Sequence, residues 1–524
     1  MSKASVSSLR LYNTLTKKEE EFVSIEENRR TTLRLAPHSR SGLAQGENGS
    51  RGTVFMYTCG PTVYGRPHIG NYSSFLMADL LRRWLEVSGY RVKHVKNITD
   101  VGHLLHDADT GDDKVQKQAE RENIHPLEIA RRYTNEFLDD EKALNMLPLD
   151  EEHRPRASGY VKQMLAMVKT LLRKGNAYET ADGIYFSVSS FPQYGALSGN
   201  TLENLSVGAR IEVKEEKRHP ADFALWKKCV CGNAAHILRW SYATGEVSHG
   251  EGEDPDSGFP GWHIECSAMS SALLGEQIDI HTGGEDNIFP HHECEIAQSE
   301  AASGLCPFSC FWIHRRRISI GREKMSKSLG NVYTVPDIGE KGFSPLDLRY
   351  YLLSVHYRTN LKFTWKGLSD AHSARCSITE WMDRGGGGEF APFIGEGMEL
   401  PKTTAKDIDQ CKQKFIDSMN SDLNTPSALS AVFECMHAMN RSVNPDTAAK
   451  KVLESFIEII RNTFGCFDPE EVEQIPDDVQ KLITEREQAR SAKNFAEADR
   501  LRDAISKMGF VVRDTAKGQE VRRR

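Results

Sequence analysis

The chain has 524 residues, 39% of them hydrophobic, which is enough to bury large cores in about two to four domains. A formal net charge of −7 argues against nucleic-acid binding through bulk positive charge, so any such surface has to be a local basic stripe. The 11 cysteines, an odd number spread over a long chain, favour reduced thiols and metal ligation over a disulfide scaffold. The sequence begins without the apolar segment of a signal peptide and lacks any run of about eighteen apolar residues, so we expect a soluble, cytoplasmic protein without membrane contact.

The first strand-to-helix unit ends in a turn suited to an anion. The segment T-V-F-M-Y (53–57) predicts a strand, and the apolar spacing of residues 71–88 predicts a helix that Gly89 terminates. Between them, P-H-I-G-N places His68 to Asn71 at a helix N-terminus, where free N–H groups and the helix dipole favour a nucleotide phosphate. Taken alone, this short string fits an ordinary helix start equally well.

Three segments hold residues that suit a metal ion. They are Y-T-C-G-P-T-V-Y (57–64), G-W-H-I-E-C-S-A-M-S (261–270) and G-G-E-D-N-I-F-P-H-H-E-C-E-I-A-Q-S (283–299). Together they supply two soft sulfurs, an imidazole and a carboxylate, a set that suits zinc: Cys59, Cys266, His291 and Glu295. An isolated cysteine is usually a small buried hydrophobe and an isolated histidine a core or surface group, so the hypothesis depends on the combination.

Residues 321–331, G-R-E-K-M-S-K-S-L-G-N, have the composition of a mobile clamp for a polyphosphate. Lys324 and Lys327 supply charge, the serines supply hydroxyl donors, and the flanking glycines let the loop close over a substrate. By itself, K-x-x-K in a loop is more often a solvated run of surface charge. The second phosphate-type element upstream, the turn at residues 68–71, favours the clamp over a simple run of surface charge.

The order of H-I-G-N and K-M-S-K-S resembles the class I aminoacyl-tRNA synthetases, and the metal set resembles the cysteinyl-tRNA synthetase family specifically. The resemblance covers nearly the whole chain. It implies one zinc ion in the amino-acid pocket, bound by Cys59, Cys266, His291 and Glu295. Next to the bound amino acid it implies Thr62, Trp262 and Asp286.

The same resemblance implies that ATP enters with Mg²⁺ and binds to His68, Gly70, Asn71 and Lys327. The catalytic residues it implies are His68, Asn71, Lys324 and Lys327. No covalent enzyme nucleophile is needed, because positioning and electrostatic stabilisation can supply most of the acceleration.

The chain departs from the family pattern at three positions. Asn71 replaces the last histidine of H-I-G-H, and Cys294 stands where the family more often has asparagine. We expect Cys294 to be a packing residue and His292 to lie next to the metal ligands without binding the metal itself. Val521 replaces a C-terminal tryptophan, so base stacking by that side chain is lost, although the arginines at 522–524 can still meet phosphates.

We expect an α/β fold with a Rossmann-like parallel-sheet catalytic domain and a connective insertion, followed by an α-helical anticodon-binding bundle. The predicted ranges are 1–315 for the catalytic domain with the insertion at 104–226, 316–364 for the clamp loop and stem-contact region, 365–475 for the bundle, and 476–524 for a small C-terminal module. The segments 34–52 and 384–401 predict a loop and a linker. In K-K-C-V-C-G-N, Cys229 and Cys231 predict a surface loop rather than a second metal site.

The implied activity is ATP-dependent conversion of L-cysteine to cysteinyl adenylate and its transfer to cysteine tRNA, with zinc selecting the cysteine thiolate. The expected partners are L-cysteine, ATP and cysteine tRNA, and the expected state is a monomer. Two alternatives stay open: a ligase of the mycothiol pathway that joins cysteine to an amino-sugar, and an inert paralogue that binds tRNA. The helical C-terminal third weighs against the first, and the intact lysines and metal set weigh against the second.

Overall fold

The computed structural model describes residues 8–29, 51–101, 114–201, 217–249, 252–320, 323–324, 332–385, 403–440, 446–468, 476–515 and 518–523. The chain divides into two compact units, residues 1–339 with 343–467 and residues 340–342 with 468–524. Most of the predicted loop at 34–52, the clamp residues 325–331 with Lys327, and the linker from 386 onward lie outside the described residues.

Strands and helices alternate in the first half of the chain, and helices dominate the second half. The strands are β1 Arg10–Asn13, β2 Lys18–Glu21, β3 Thr53–Thr58, β4 Arg91–Lys96, β5 Ala177–Glu179, β6 Gly183–Phe186, β7 Phe223–Cys229, β8 Arg239–Ser241, β9 Val247–Ser248, β10 Asp254–Pro260, β11 Ile278–Gly284, β12 Ser309–Arg315, β13 Ile318–Ile320, β14 Glu323–Lys324, β15 Leu361–Phe363, β16 Phe510–Thr515 and β17 Gly518–Arg523. The helices are α1 Ile69–Val87, α2 Lys114–Glu122, α3 Pro126–Ala143, α4 Val161–Lys174, α5 Trp262–Leu274, α6 Glu293–Ser303, α7 Val335–Glu340, α8 Pro345–Leu353, α9 Trp365–Asp383, α10 Ala405–Asn420, α11 Thr425–Asn440, α12 Thr447–Phe464, α13 Asp477–Ser491 and α14 Phe495–Lys507.

A four-stranded parallel sheet forms the centre of the first unit. Its strand order is β12–β11–β3–β4, with Ile280 opposite Met56 and Tyr57 opposite Val95. β11 is buried at every residue before Gly284, as expected of a strand covered on both faces. Because the strands are parallel, the residues that follow β3, β11 and β12 meet at one edge, where open α/β sheets bind ligands. The predicted Rossmann-like class is confirmed.

The insertion between β4 and α5 contains a six-stranded antiparallel sheet of order β5–β6–β7–β10–β8–β9. The rings of Phe186 and Phe223 stack in its core with centroids 5.0 Å apart. Cys229 lies buried at the end of β7, so the surface-loop prediction is wrong for this residue. The apolar strand F-A-L-W-K-K-C carries it into the sheet.

Helices α10, α11 and α12 form the predicted helical bundle, and α11 begins at Thr425, where the Asn-Thr-Pro sequence predicts a helix restart. The bundle packs against α1 of the catalytic part. Trp84 of α1 donates its indole N–H to Asn420 Oδ1 at 3.0 Å, and its ring meets Phe415 edge-on at 6.2 Å. The helix that follows the predicted anion-binding turn therefore also contacts the bundle.

The second unit contains α13, α14 and the hairpin β16–β17 around a small apolar core. The sequence from 478 to 510 predicts one helical run with Phe495 in its apolar seam. The structure instead breaks the run at residues 492–494, and Phe495 at the start of α14 is 62% exposed. Val521 packs on the core of this unit, while Leu501 and Ile505 are buried as predicted. Among the described helices, none has the length and hydropathy to cross a bilayer.

Candidate active site at the carboxyl edge of the sheet

Four residues from separate segments converge at the carboxyl edge of the parallel sheet. Cys59 directly follows β3, Cys266 lies on α5, His291 precedes α6, and Glu295 lies on the first turn of α6. Their ligand atoms all lie within 4.8 Å of one another, and all four side chains are buried. The structure thus brings together the whole metal set that the sequence predicts.

A glycine helps to aim Cys59 into this cluster. A Cβ on Gly60 would lie 1.6 Å from the carbonyl oxygen of Asn97, so the chain can approach the end of β4 this closely only with glycine after the cysteine. Gly60 N–H also donates to Asn97 Oδ1 at 2.8 Å. The backbone that carries Cys59 is therefore held on the neighbouring strand.

The distances within the cluster are those of a closely packed polar group. Cys59 Sγ lies 3.7 Å from Cys266 Sγ and 3.3 Å from Glu295 Oε1. His291 Nε2 lies 3.0 Å from the same Oε1, as the i,i+4 spacing with Glu295 allows. Two sulfurs, one imidazole and one carboxylate so close together form a donor set that fits zinc.

A second group of possible ligands overlaps the first: Cys59, His281, His292 and Glu295. His292 Nε2 lies 3.3 Å from Cys59 Sγ, and His281 Nε2 lies 2.9 Å from Glu295 Oε2. The two carboxylate oxygens of Glu295 thus face different histidines, His291 and His281. Cys294, whose Sγ lies 3.4 Å from the Tyr194 hydroxyl, belongs to neither group.

Burial and mutual charge set the protonation of the first group. Burial alone would raise the pKa of Glu295, but His281 and His291 hold it well below its usual range. Burial likewise opposes a charged Cys266, yet hydrogen bonding with Cys59 and the neighbouring His291 lower its pKa to about 6. Burial disfavours the imidazolium, but Glu295 raises the pKa of His291 to about 10. Burial and Cys266 raise the pKa of Cys59 well above normal, so a metal ion bound here would displace the Cys59 proton.

Behind the cluster lies a row of histidines, of which the sequence predicted only His292 next to the ligands and missed His281 and His314. His292 Nδ1 lies 2.8 Å from His314 Nε2, and His314 Nδ1 lies 2.8 Å from Thr14 Oγ1. His281 stacks on Trp312 with ring centroids 4.4 Å apart. One signal was present: Asp279 and His281 occupy alternate positions of the strand I-D-I-H-T-G-G, which marks polar residues on one face of a buried sheet.

The three predicted neighbours of the amino acid surround this edge. Trp262, the first residue of α5, stacks on His291 with centroids 4.2 Å apart, so the indole covers one face of the His291 ring. Thr62 forms a backbone bridge with Thr99 beyond β3. Asp286 follows β11 and pairs with Arg317 at 2.6 Å.

The turn predicted to bind an anion, at His68 to Asn71, is closed by a capping box. Asn71 N–H donates to His68 Nδ1 at 3.3 Å, and His68 N–H donates to Asn71 Oδ1 at 3.0 Å. Asparagine therefore completes the helix cap at this position. Gly70 lies in the first turn of α1. Lys324 ends the two-residue strand β14, where its backbone pairs with Ser319.

Three family profiles match segments of this chain. The profile described as tRNA synthetases class I (C) catalytic domain matches residues 45–373, more than half of the chain. A cysteinyl-tRNA ligase anticodon binding domain matches residues 473–522, and a DALR domain matches residues 414–468. The chain belongs to the cysteinyl-tRNA synthetase family.

Relatives within the cysteinyl-tRNA synthetase family align over most of the chain. The cysteine–tRNA ligase of Thermus thermophilus is 40% identical over 476 residues, which cover 89% of this chain and 94% of the relative. That of Chlorobaculum tepidum is 37% identical and covers 98% of both chains. Methionyl-tRNA synthetase from Mycobacterium tuberculosis, bound by methionyl-adenylate, shares the fold with a TM-score of 0.52 at 13% identity, covering 79% of this chain and 92% of its own.

Proposed function

We propose that this protein activates L-cysteine with ATP and transfers the cysteinyl group to cysteine tRNA. The observation that carries the proposal is the cluster of Cys59, Cys266, His291 and Glu295, with donor atoms within 4.8 Å of one another at the ligand-binding edge of the sheet. Relatives of this chain that bear the name cysteine–tRNA ligase match it over 89% to 98% of its length.

The amino-acid pocket is built to recognise a thiol. A zinc ion bound there supplies preference for a soft thiolate over a neutral alcohol and lowers the thiol pKa on coordination. Cys59, Cys266, His291 and Glu295 would hold it, while His281 fixes the outer oxygen of Glu295 at 2.9 Å. A hydrophobic pocket alone discriminates between near-isosteric substrates by only roughly 10- to 200-fold. A metal held by this donor set would therefore explain how cysteine is selected over serine without a separate site that hydrolyses the wrong product.

The ATP site combines the capped turn with the clamp. The substrate carboxylate attacks the α-phosphate of ATP and pyrophosphate leaves; a ribose hydroxyl of tRNA then attacks the adenylate carbonyl and AMP leaves. His68, Gly70 and Asn71 present the N-terminus of α1 to the phosphates, accompanied by Mg²⁺. Lys324 and Lys327 stabilise the charge that develops on pyrophosphate, and Lys327 is expected to contribute more.

The deciding assay is cysteine-dependent ATP/pyrophosphate exchange, with serine as the control substrate, followed by charging of cysteine tRNA. We expect exchange with cysteine, at most background exchange with serine, and charging of the tRNA. Absence of exchange would contradict the proposal and favour an inert paralogue. Exchange without charging would instead favour the amino-sugar ligase.

Phe495 offers a test of tRNA contact in the second unit. Its ring is 62% exposed at the start of α14, and an exposed aromatic ring can stack on an unpaired base for about 1–3 kcal/mol. Phe495→Ala should therefore raise the KM for tRNA by roughly 5- to 100-fold while cysteine-dependent exchange stays unchanged. Met508→Ala is the matched control, since Met508 is an exposed apolar side chain, 40% accessible, near the end of the same helix. An unchanged tRNA KM in Phe495→Ala would exclude this ring from the tRNA interface.

A further inference from the structure

The turn that precedes α1 is bound to the insertion by an arginine that the reaction scheme leaves unused. Arg66, two residues before His68, donates Nε to Asp140 Oδ2 at 3.0 Å and Nη2 to Asp140 Oδ1 at 2.6 Å. Such a two-point contact fixes orientation as well as distance, because the planar guanidinium matches the carboxylate.

The same carboxylate also holds the far side of the turn. Tyr72, in the first turn of α1, donates its hydroxyl to Asp140 Oδ2 at 2.9 Å. Arg66 and Tyr72 bracket the H-I-G-N sequence, so one side chain constrains both ends of the segment that presents its N–H groups to ATP. Asp140 is only 2% exposed, and the hydrogen bond it accepts from Tyr72 is buried.

Neighbouring residues on α3 hold Asp140 in place. On α3, the next residue, Glu141, accepts a hydrogen bond from Lys96 of β4 and one from Arg154 Nη1 at 2.5 Å. One turn earlier, the ring of Phe137 stacks on Tyr72 with centroids 6.1 Å apart. Asp140 is thus anchored to the central sheet through its own helix.

We propose that Asp140 is a positioning residue for ATP, which aims the N-terminus of α1 at the phosphates by holding Arg66 and Tyr72 together. The inference rests on the proposed ATP site at His68 and Asn71. Loss of the carboxylate charge releases the guanidinium and lets the turn move, so the N–H groups lose their alignment. The metal cluster is not supported in this way, since three of its residues lie on or beside α5 and α6.

The test compares Asp140→Asn with Glu136→Gln. Glu136 lies one turn earlier on α3, partly exposed, and approaches Arg66 only at 3.7 Å, so it is a matched control. Asp140→Asn should raise the dissociation constant of ATP, measured by calorimetry, about tenfold, as expected for loss of a charge-assisted hydrogen bond. The KM for cysteine and the metal content should stay within about twofold of wild type, and Glu136→Gln should leave all three unchanged.

Combining Arg66→Gln with Asp140→Asn should weaken ATP binding no further than either change alone.

Three outcomes would overturn the inference: unchanged ATP affinity in Asp140→Asn, an equal loss in Glu136→Gln, or a parallel loss of cysteine and metal binding. If Asp140→Asn does not fold, Tyr72→Phe replaces it, with an expected loss of about threefold in ATP affinity and none in cysteine KM. Direct ATP binding separates the two proposals. A wild-type protein that binds ATP without cysteine-dependent exchange would contradict the proposed function only, whereas one that binds no ATP would overturn both.

Discussion

Cys266→Ser is expected to lose the bound metal and most of its preference for cysteine over serine. The substitution replaces a soft sulfur donor, with a pKa near 6, by a hydroxyl that stays protonated. Loss of a direct ligand should weaken zinc binding by more than the roughly 10- to 100-fold typical of an outer partner. Discrimination between cysteine and serine should then fall to roughly 200-fold or less, the range available to shape alone.

Metal content by elemental analysis and exchange rates with cysteine and serine measure these effects. Cys294→Ser is the matched control, because Cys294 is equally buried on α6 but belongs to neither ligand group, and it should keep its metal. Full retention of zinc in Cys266→Ser would refute the predicted ligand set and favour the group with His281 and His292, which does not use Cys266.

Lys327→Ala should lower turnover without loss of zinc.

Asp79→Ala is expected to destabilise the first unit by about 3–5 kcal/mol, the typical cost of leaving a buried charge without its partner. Asp79 Oδ2 accepts from Arg349 Nη2 at 2.6 Å and from Arg83 Nε at 2.9 Å, and Arg349 is 0% exposed. Arg349 also donates to the Phe464 carbonyl oxygen at 2.5 Å, at the end of α12. The ion pair therefore connects the catalytic part, the segment after the clamp and the helical bundle.

The same helix provides a matched control for this prediction. Arg82 and Glu86 form an i,i+4 pair at 2.9 Å with the same spacing as Asp79 and Arg83, but the Glu86 side chain is 38% exposed. Glu86→Ala should cost about 0.3–0.5 kcal/mol, because water screens the pair. Urea unfolding followed by tryptophan fluorescence measures both variants, and similar midpoints for the two would contradict the role given to burial.

The stability that Asp79 supplies should depend on pH in one direction. Burial alone would raise the pKa of Asp79, but Arg349 and Arg83 hold it well below its usual range. A carboxylate with a lowered pKa stabilises the fold above the unfolded pKa of about 3.9 and loses that contribution as pH falls through its folded value. The gap in unfolding free energy between wild type and Asp79→Asn should therefore be widest near neutral pH and narrow below about pH 4.

Local patterns were sufficient for the fold class. A strand before H-I-G-N, a helix after it and the restart at Thr425 depend on residues near in sequence, and the structure confirms each. The proposed ligand set came from the resemblance to the family's pattern, and the structure brings its four donor atoms within 4.8 Å of one another. The failures occurred where neighbours in space decide: Cys229 is buried by its sheet, and Phe495 is exposed because the helix breaks before it.

The sequence by itself determined the family resemblance, the α/β class and the four residues proposed to hold zinc, since these depend on residue types and on the motifs in which they stand. Only the tertiary structure decided which carboxylates pair with distant arginines. Asp140 meets Arg66 across 74 residues of sequence, and Asp79 meets Arg349 across 270. The physical reason is that an ion pair between distant segments depends on the three-dimensional alignment of its partners and on the burial of its carboxylate, and a local pattern of charges encodes neither.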